Sequence, residues 1–334
     1  MKTKFCTASK VKQMDIDLTE SLIFGHAIAD ALGVPVEFQT RAQLEADPVV
    51  DMRGYGTYDV PAGSWSDDTS MTLCLLESLA RLGRIDYTDI MSNFVSWMNE
   101  AKFTPTGVMF DIGRGTMQAL MKFTHGTEPL LSGGGSPYDN GNGSLMRIAP
   151  MALYLYKQKG ANLSWEDLSV VHDISKLTHA HARSLMACGI YVLIAMQLLD
   201  GSNMPDAIKS GVGMAHRLYG QHDEFAEEMD MYERLWDVQA FGQLPKDTIQ
   251  SSGYVVDTLE AVLWCLLNTK DYQSCVLTAV NLGEDTDTVG AIAGGLAGLA
   301  YGLDSIPAEW QSTLLRRDFI ENLCDEFSTK CQYC

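Results

Sequence analysis

Basic residues are scarce in this chain of 334 residues. Lysines and arginines number 24 against 43 aspartates and glutamates, which gives a formal net charge of −19. A surface this acidic repels phosphate backbones and anionic lipid headgroups. We therefore expect no binding to membrane surfaces and consider nucleic-acid binding disfavoured. A local pocket for one small anionic ligand stays compatible with this charge.

Long apolar segments are also scarce, both near residue 1 and in the rest of the chain. The first twenty residues carry Lys2, Lys4, Lys10 and Lys12 but no apolar core, so no signal peptide is predicted. The most apolar stretch, residues 184–200, is too short to span a bilayer comfortably and is typical of a buried core helix. We expect a cytoplasmic location.

The eight cysteines do not form a recognisable zinc or disulfide pattern. Cys74, Cys188 and Cys265 lie inside apolar runs, as reduced core cysteines do. Cys331 and Cys334 form a lone CxxC without a second pair at zinc-site spacing. We interpret this pair as part of a frayed tail, with a metal or redox site as the alternative.

Alternating strand patterns are almost absent, and helical periodicity dominates the chain. Apolar or small residues recur about once per turn over residues 18–33 and 71–82. The sequence therefore predicts a single all-α domain. Further helical patterns cover 87–99, 113–123, 166–177, 179–200, 204–217, 224–235, 256–268, 271–281, 287–302 and 307–327.

Two of these helices carry stripes of small residues at a stride of four. Glycine costs about 1 kcal/mol relative to alanine in a helix interior, so the stripes need a physical reason. Close approach of a second helix backbone is one reason, and close approach of a ligand is the other. We favour tight packing, with both helices central. The stripes are Gly25, Ala29 and Gly33, and Gly290, Gly294, Gly298 and Gly302.

Acidic and hydroxyl residues cluster at two helix starts, at 66–69 and at 284–288. One polar residue at such a place is an ordinary N-cap, and acids there also suit the helix dipole. Two whole clusters exceed what capping needs. If both helices lie in the core, four carboxylates converge in a partly buried place.

Converging carboxylates repel one another, and their unpaired burial is costly. No comparable group of lysines or arginines is near in sequence. A divalent cation would neutralise them, and a ligand set of carboxylates and hydroxyls suits Mg²⁺, Mn²⁺ or Ca²⁺ better than Zn²⁺. Glycine-rich loops at 132–136 and 140–144 further indicate backbone N–H groups brought close to a ligand.

Five segments in this order resemble the ADP-ribosylglycohydrolase family over about residues 18–303, nearly the whole chain. The resemblance implies a compact orthogonal helical bundle with two Mg²⁺ or Mn²⁺ ions in a central cleft. It also implies one domain over 1–334, with a core of about 18–303 and a C-terminal helix and tail at 304–334. The segments are Gly25–Glu37, Trp65–Met71, Asn142–Arg147, Thr178–His179 and Gly283–Thr288.

The resemblance also implies the metal ligands. Ser66, Asp67 and Asp68 would hold one ion, and Asp285, Asp287 and Thr288 the other, with Asp287 bridging or close to the first. Glu37 stands where the family carries an acid on a mobile loop over the metals. Ser66 replaces a common Thr, Glu284 a frequent Gly, and Ala29 another frequent Gly; none of these changes removes a ligand.

Substrate-binding residues follow from the same resemblance. Asn142, Gly143, Ser144, Met146 and Arg147 belong to a loop that would hold the diphosphate and the distal ribose. Arg147 either meets phosphate or is a structural partner for buried carbonyls.

Three more places leave two interpretations open. Gly253 and Tyr254 resemble the family's adenine-stacking segment, although an aromatic in an apolar stretch is otherwise a core residue. His179 matches a position near the substrate or has a structural role, and His181 has no match. Asp111 either faces the guanidinium of a modified arginine or caps the following helix.

The sequence therefore predicts a metal-dependent hydrolase that removes ADP-ribose from an acceptor. The favoured substrate is the N-glycosidic bond between ADP-ribose and a protein arginine. O-linked or free ADP-ribose derivatives are the alternatives. Its partner would be an ADP-ribosylated protein or an ADP-ribose-containing small molecule. A metal-bound water would attack C1″. Asp67, Asp68, Asp285 and Glu37 remain equal candidates for accepting its proton.

Two rival functions remain at this point. One is a catalytically silent ADP-ribose-binding or structural protein on the same fold, although both acidic clusters and Glu37 are retained. The other is a metal phosphohydrolase that cleaves free ADP-ribose or another nucleotide.

Overall fold

The fold is seen in a computed structural model that describes residues 8–330, with side chains from residue 16 onward. Within these residues the chain forms sixteen α-helices and no strand, so the predicted all-α fold is confirmed. The helices are α1 Ala8–Gly33, α2 Arg41–Ala46, α3 Asp67–Leu82, α4 Tyr87–Glu100, α5 Arg114–Thr124, α6 Ala149–Lys159, α7 Trp165–Lys176, α8 Ala182–Leu199, α9 Met204–Tyr219, α10 Ala226–Met229, α11 Val238–Gly242, α12 Val255–Asn268, α13 Tyr272–Val280, α14 Thr286–Tyr301, α15 Ala308–Thr313 and α16 Arg317–Lys330. Short 3-10 turns cover Val34–Val36, Pro129–Leu131, Asp223–Phe225, Asp230–Trp236, Lys246–Thr248 and Leu303–Ser305.

The two glycine-striped helices, α1 and α14, form the most extensive helix pair of the protein. A Cβ atom at Gly25 would overlap the carbonyl oxygen of Gly294, and one at Gly298 would overlap that of Ser21. The stripes therefore allow the two backbones to touch, as the packing interpretation expects. At the end of α1, a Cβ at Gly33 would overlap the backbone of Asp287, so the same contact brings the end of α1 to the start of α14.

Other helices enclose this central pair. α3 packs against α1, α4 and α16, and α12 and α13 pack against α14. α8 lies among α6, α7, α9 and α12. By length and hydropathy α8 could cross a membrane, but 83% of that helix is buried inside the protein. Its apolar surface is therefore covered by neighbouring helices, as expected for residues 184–200.

Two predicted helices are interrupted. The pattern at 307–327 divides into α15 and α16, because the Leu315 N–H donates to the carbonyl of Gly63 rather than to its own helix. Arg316 then adopts a left-handed φ of 46° and donates to the Thr104 carbonyl. The pattern at 224–235 divides into the short helix α10 between two 3-10 turns.

Three helices were not predicted: α2, α6 and α11. α2 and α11 are too short for helical periodicity to show. α6 is longer, but most of its residues are buried, and Tyr154 and Tyr156 stand between buried neighbours. Its polar residues therefore form no clear stripe, and the helical periodicity is weak. Cys74, Cys188 and Cys265 are buried, as expected. Cys331 and Cys334 lie outside the described residues.

The contact between α1 and α14 can be tested with one methyl group. Gly298→Ala places a Cβ against the Ser21 carbonyl and is expected to lower the free energy of unfolding by about 2–3 kcal/mol. Gly213→Ala in α9 is the control, since its Cβ would meet no atom closer than 3.8 Å; it should gain up to about 1 kcal/mol. Denaturant unfolding measures both. Equal stabilities of the two variants would contradict the packing argument.

Candidate active site

A cleft of about 550 Å³ opens where seven separate segments of the chain meet. Most of the residues predicted for the site line this cleft. They are Glu37, Asp67, Asp111, Asn142, Gly143, Met146, His179, Gly253, Tyr254, Asp285 and Thr288. Ser66, Asp68 and Asp287 are buried and do not belong to the lining. Ser144 and Arg147 are also buried outside it.

The two acidic clusters meet through side-chain hydrogen bonds. Ser66 caps the start of α3, and its hydroxyl donates to Asp68 Oδ2 at 3.1 Å. Thr288, in the first turn of α14, donates to the same oxygen at 3.2 Å. Segments separated by more than two hundred residues are thus joined at one carboxylate.

Asp30, which the sequence interpretation did not include as a site residue, holds α3 in place. Its carboxylate accepts from the backbone N–H groups of Ser66 and Thr69, at 3.0 Å each, and from the Thr69 hydroxyl at 2.6 Å. Burial raises the pKa of Asp30 to about 7 in spite of these hydrogen bonds. A signal was present, since Asp30 is the one acid in an otherwise apolar stretch of α1.

Glu37 lies inside the acidic cluster. It follows a 3-10 turn, Val34–Val36, and is buried. Its carboxylate and those of Asp285 and Asp287 each offer an oxygen within 4.8 Å of the others. Glu37 is therefore close enough to share a cation with these aspartates.

The backbone beside Glu37 is clasped to the backbone beside Asp285. The Phe38 N–H donates to the Glu284 carbonyl at 2.7 Å, and the Glu284 N–H donates to the Gln39 carbonyl at 2.7 Å. Phe38 and Glu284 have left-handed φ values of 66° and 63°. Such a conformation is uncommon for residues other than glycine, so both positions are strained.

Within the described side chains, no lysine or arginine is paired with these carboxyl groups. Burial, reinforced by Asp111 and Asp285, raises the pKa of Glu37 to about 9. Burial and neighbouring carboxylates likewise hold the pKa values of Asp67, Asp68 and Asp287 well above their ordinary range. Three buried carboxylate oxygens have no hydrogen-bond partner: Glu37 Oε2, Asp68 Oδ1 and Asp285 Oδ1. Such oxygens, in a set of hard ligands, fit divalent cations.

Backbone pairing fixes the opposite wall of the cleft. The N–H of Asn142 donates to the Gly253 carbonyl at 3.1 Å, and that of Val255 to the Asn140 carbonyl at 3.0 Å. The Asn142 side chain donates to Asp285 Oδ2 at 2.8 Å. The loop at 140–144 is thereby tied to both the start of α12 and the acidic cluster.

Arg147 and Ser144 make structural contacts. The Arg147 guanidinium donates to the Ile174 carbonyl at 3.2 Å and to Thr178 Oγ1 at 2.8 Å. Ser144 Oγ accepts from Ser175 Oγ at 2.8 Å. Arg147 therefore contacts a buried carbonyl, as its structural interpretation expects. Neither the Arg147 nor the Ser144 side chain lines the cleft.

His179 forms part of the cleft floor as a neutral ring. Its Nδ1 lies 2.9 Å from Thr178 Oγ1, and a Cβ at Gly143 would lie 2.8 Å from its Cε1. Burial, with the Arg147 charge as the second cause, lowers the pKa of His179 to about 3. His181 instead caps α8.

Asp111 does not cap the next helix. Gly113 holds the N-cap position of α5, and no side chain caps it. Asp111 lines the cleft, and Asp67 and Tyr58 lie near enough to influence its pKa. Tyr58 likewise influences the pKa of Glu37. Tyr58 is thus a second site residue that sequence reasoning missed, because an isolated tyrosine in a loop carries no signal of its own.

The start of α5 is a third missed feature. Gly113, Arg114, Gly115 and Thr116 line the cleft, and the buried Thr116 Oγ1 has no hydrogen-bond partner. The N-terminus of a helix presents free N–H groups and attracts anions. The sequence predicted this helix, but it did not reveal that its first turn lines the same cleft as the acidic cluster.

Comparison with known proteins identifies the family of the chain. The model of the ADP-ribosylglycohydrolase family matches residues 15–334. ADP-ribosylarginine hydrolase Tri1 of Serratia proteamaculans is 32% identical over 93% of this chain and 79% of its own length. ADP-ribosyl-[dinitrogen reductase] glycohydrolase of Rhodospirillum rubrum is 33% identical, over 87% of each chain.

A solved structure shares the fold. It is an ADP-ribosylglycohydrolase-related protein complex, which superposes with a TM-score of 0.77 at 29% identity and covers 96% of this chain and 100% of its own. The predicted family and the predicted enzyme class, a glycosidic-bond hydrolase, are confirmed. Because the family model spans nearly the whole chain and relatives exceed 30% identity, the chain belongs to the ADP-ribosylglycohydrolase family.

Proposed function

We propose that this protein hydrolyses the glycosidic bond between ADP-ribose and a modified protein, with ADP-ribosylated arginine as the first substrate to test. The convergence of carboxyl groups from four separate segments at one cleft supports this proposal most strongly. Two relatives whose names state ADP-ribosylarginine hydrolase and ADP-ribosyl-[dinitrogen reductase] glycohydrolase give further support.

Two Mg²⁺ or Mn²⁺ ions are part of the proposal. Ser66, Asp67 and Asp68 would hold one, and Asp285, Asp287 and Thr288 the other; the unpartnered carboxylate oxygens fit such ions. When bound, the pair would neutralise the carboxylates, lower their pKa values and lower the pKa of a bound water.

The chain's own groups suit the other parts of such a substrate. Backbone N–H groups at the start of α5 and the Thr116 hydroxyl offer an anion-binding wall for the diphosphate. Asp111 offers a carboxylate to the guanidinium of a modified arginine. The Asn142 side-chain amide donates a hydrogen bond to Asp285 and would thereby orient the Asp285 carboxylate beside the ribose.

Proton transfer falls to a carboxylate that lines the cleft. Glu37 has one oxygen without a partner and a side chain buried beside Asp285 and Asp287. We place the Glu37 carboxylate as the general base that accepts a proton from the attacking water. Fixed orientation of the ribose and stabilisation of the developing oxocarbenium charge would supply the rest of the rate enhancement.

An assay of products tests the function directly. ADP-ribosylated arginine, serine and DNA substrates are incubated with the protein and Mg²⁺, and the products are resolved by mass. Glycohydrolysis releases intact ADP-ribose and free acceptor, and chelation abolishes it. Release of AMP or phosphate would instead assign a phosphohydrolase, and binding without turnover a silent binding protein.

Metal and pH should act together on stability. In metal-free protein the fold raises the pKa of Glu37 from 4.5 to about 9. Between these values folded Glu37 binds more protons than unfolded Glu37, so this residue costs no stability below about pH 4.5 and destabilises the folded state increasingly as pH rises toward 9. Thermal unfolding of chelated protein should follow this trend.

Adding Mn²⁺ or Mg²⁺ at pH 8 should raise the melting temperature by several degrees. The absence of any shift with either ion would contradict the dinuclear site.

Asp111 should select the linkage rather than drive hydrolysis. Asp111→Asn is expected to lower kcat/KM severely on an arginine-linked substrate, because a charged partner of the guanidinium is lost. On a serine-linked substrate its effect should be small, whereas Asp285→Asn and Asp287→Asn should reduce both. Equal effects of Asp111→Asn on the two substrates would reject its role in arginine selection.

Glu37→Gln separates proton transfer from metal binding. The amide keeps the shape but is no base, so kcat should fall by about 10²–10⁴. Metal affinity, measured by calorimetry, should change little because the ligands at 66–68 and 285–288 remain. Lost metal binding would make Glu37 a ligand, and unchanged turnover would remove it from the mechanism.

A further inference from the structure

Tyr254 lines the cleft from a rigid backbone. It occupies the N-cap position of α12, and it pairs with Gly141 in an isolated antiparallel bridge. The following N–H, from Val255, donates to the Asn140 carbonyl. The backbone of Tyr254 is therefore fixed, and its ring packs partly against the hydrophobic core. The hydroxyl end of the side chain is held by a further contact.

Arg183 supplies that contact. Its Nη1 donates to the Tyr254 hydroxyl at 2.9 Å, and its guanidinium carbon lies 5.6 Å from the centroid of the ring. Arg183 does not line the cleft itself. Its direct contact with a cleft-lining side chain is the one to Tyr254.

The position of Arg183 is unfavourable for helix stability alone. It lies in the first turn of α8, where the helix dipole favours negative charge. Glu228 of α10 neutralises it through a hydrogen bond from Arg183 Nε to Glu228 Oε2 at 2.5 Å, and both side chains are largely buried, with 14% and 16% exposed. Tyr232 anchors the same turn by donating to the Arg183 carbonyl at 2.7 Å. Three segments thus converge to hold one guanidinium against one phenol.

We propose that Arg183, held by Glu228, is a positioning residue for Tyr254, whose segment resembles the adenine-stacking segment of the family. The proposal rests on the function proposed above, since it needs a substrate that contains a nucleotide. A planar aromatic side chain on a cleft wall suits a planar heteroaromatic base. Fixing the ring before binding removes the entropy cost of ordering it afterwards.

Two substitutions break the same contact from opposite sides. Arg183→Gln removes the guanidinium, and Tyr254→Phe removes one oxygen while it keeps the ring. Each should raise KM for the ADP-ribosylated substrate and Kd for ADP-ribose by about 3- to 10-fold, with kcat within about twofold of the original. The double variant should be no worse than either single variant, because both remove one interaction. Arg183→Lys should recover part of the affinity.

A base-free probe and a matched ion pair complete the test. Inhibition by ribose 5-phosphate should be unchanged in every variant, since it has no base to stack. Arg234→Gln breaks an Arg–Glu pair of 2.9 Å with Glu260, away from the cleft lining, and should leave KM and Kd unchanged.

Each outcome decides the matter. Unchanged Kd for ADP-ribose in Arg183→Gln and Tyr254→Phe, or equal weakening of ADP-ribose and ribose 5-phosphate, overturns the positioning role while the proposed function stands. If Arg183→Gln does not fold, Tyr254→Phe alone gives the answer. If the unsubstituted protein neither binds ADP-ribose nor releases it from modified proteins, the proposed function fails and this role fails with it.

Discussion

The burial of mutually repelling carboxyl groups is the constraint on which the rest of the structure depends. Glu37, Asp67, Asp68 and Asp287 all have raised pKa values because they are buried beside one another. Left to themselves they would separate or draw in water. The fold brings them together from separate segments of the chain, and their convergence makes one side of the cleft acidic.

Two devices maintain that arrangement. The backbone contact between α1 and α14 carries the end of one helix to the start of the other, where Thr286 donates to the Gly33 carbonyl at 2.8 Å. Asp30 then ties the start of α3 to α1. The glycine stripes and the acidic clusters, which look like separate features in the sequence, are therefore parts of one construction. The cleft also joins an acidic side to a wall of backbone N–H groups, which reconciles an anionic protein with an anionic ligand.

Much of this was predictable from sequence because the relevant signals are local. Helical periodicity predicted the all-α fold, and clustered acids at two helix starts predicted that their carboxylates converge, as they do. The features that were missed depend on tertiary contacts. Nothing near Tyr58 or Thr116 in sequence shows that they face Glu37 and His179 respectively, and the break between α15 and α16 is caused by the distant carbonyl of Gly63. Arg147 is a different case. A motif match singled out this residue, but the match could not show that its guanidinium donates to Ile174 and Thr178 inside the protein.

The central claim is that these carboxylates share bound cations. Crystals grown with Mn²⁺ and measured by anomalous diffraction near the manganese absorption edge test it most directly. The account predicts two anomalous peaks, one beside the oxygens of Ser66, Asp67 and Asp68, the other beside those of Asp285, Asp287 and Thr288. Well-ordered crystals with no peak at the cleft, or with manganese bound only elsewhere on the surface, would contradict it.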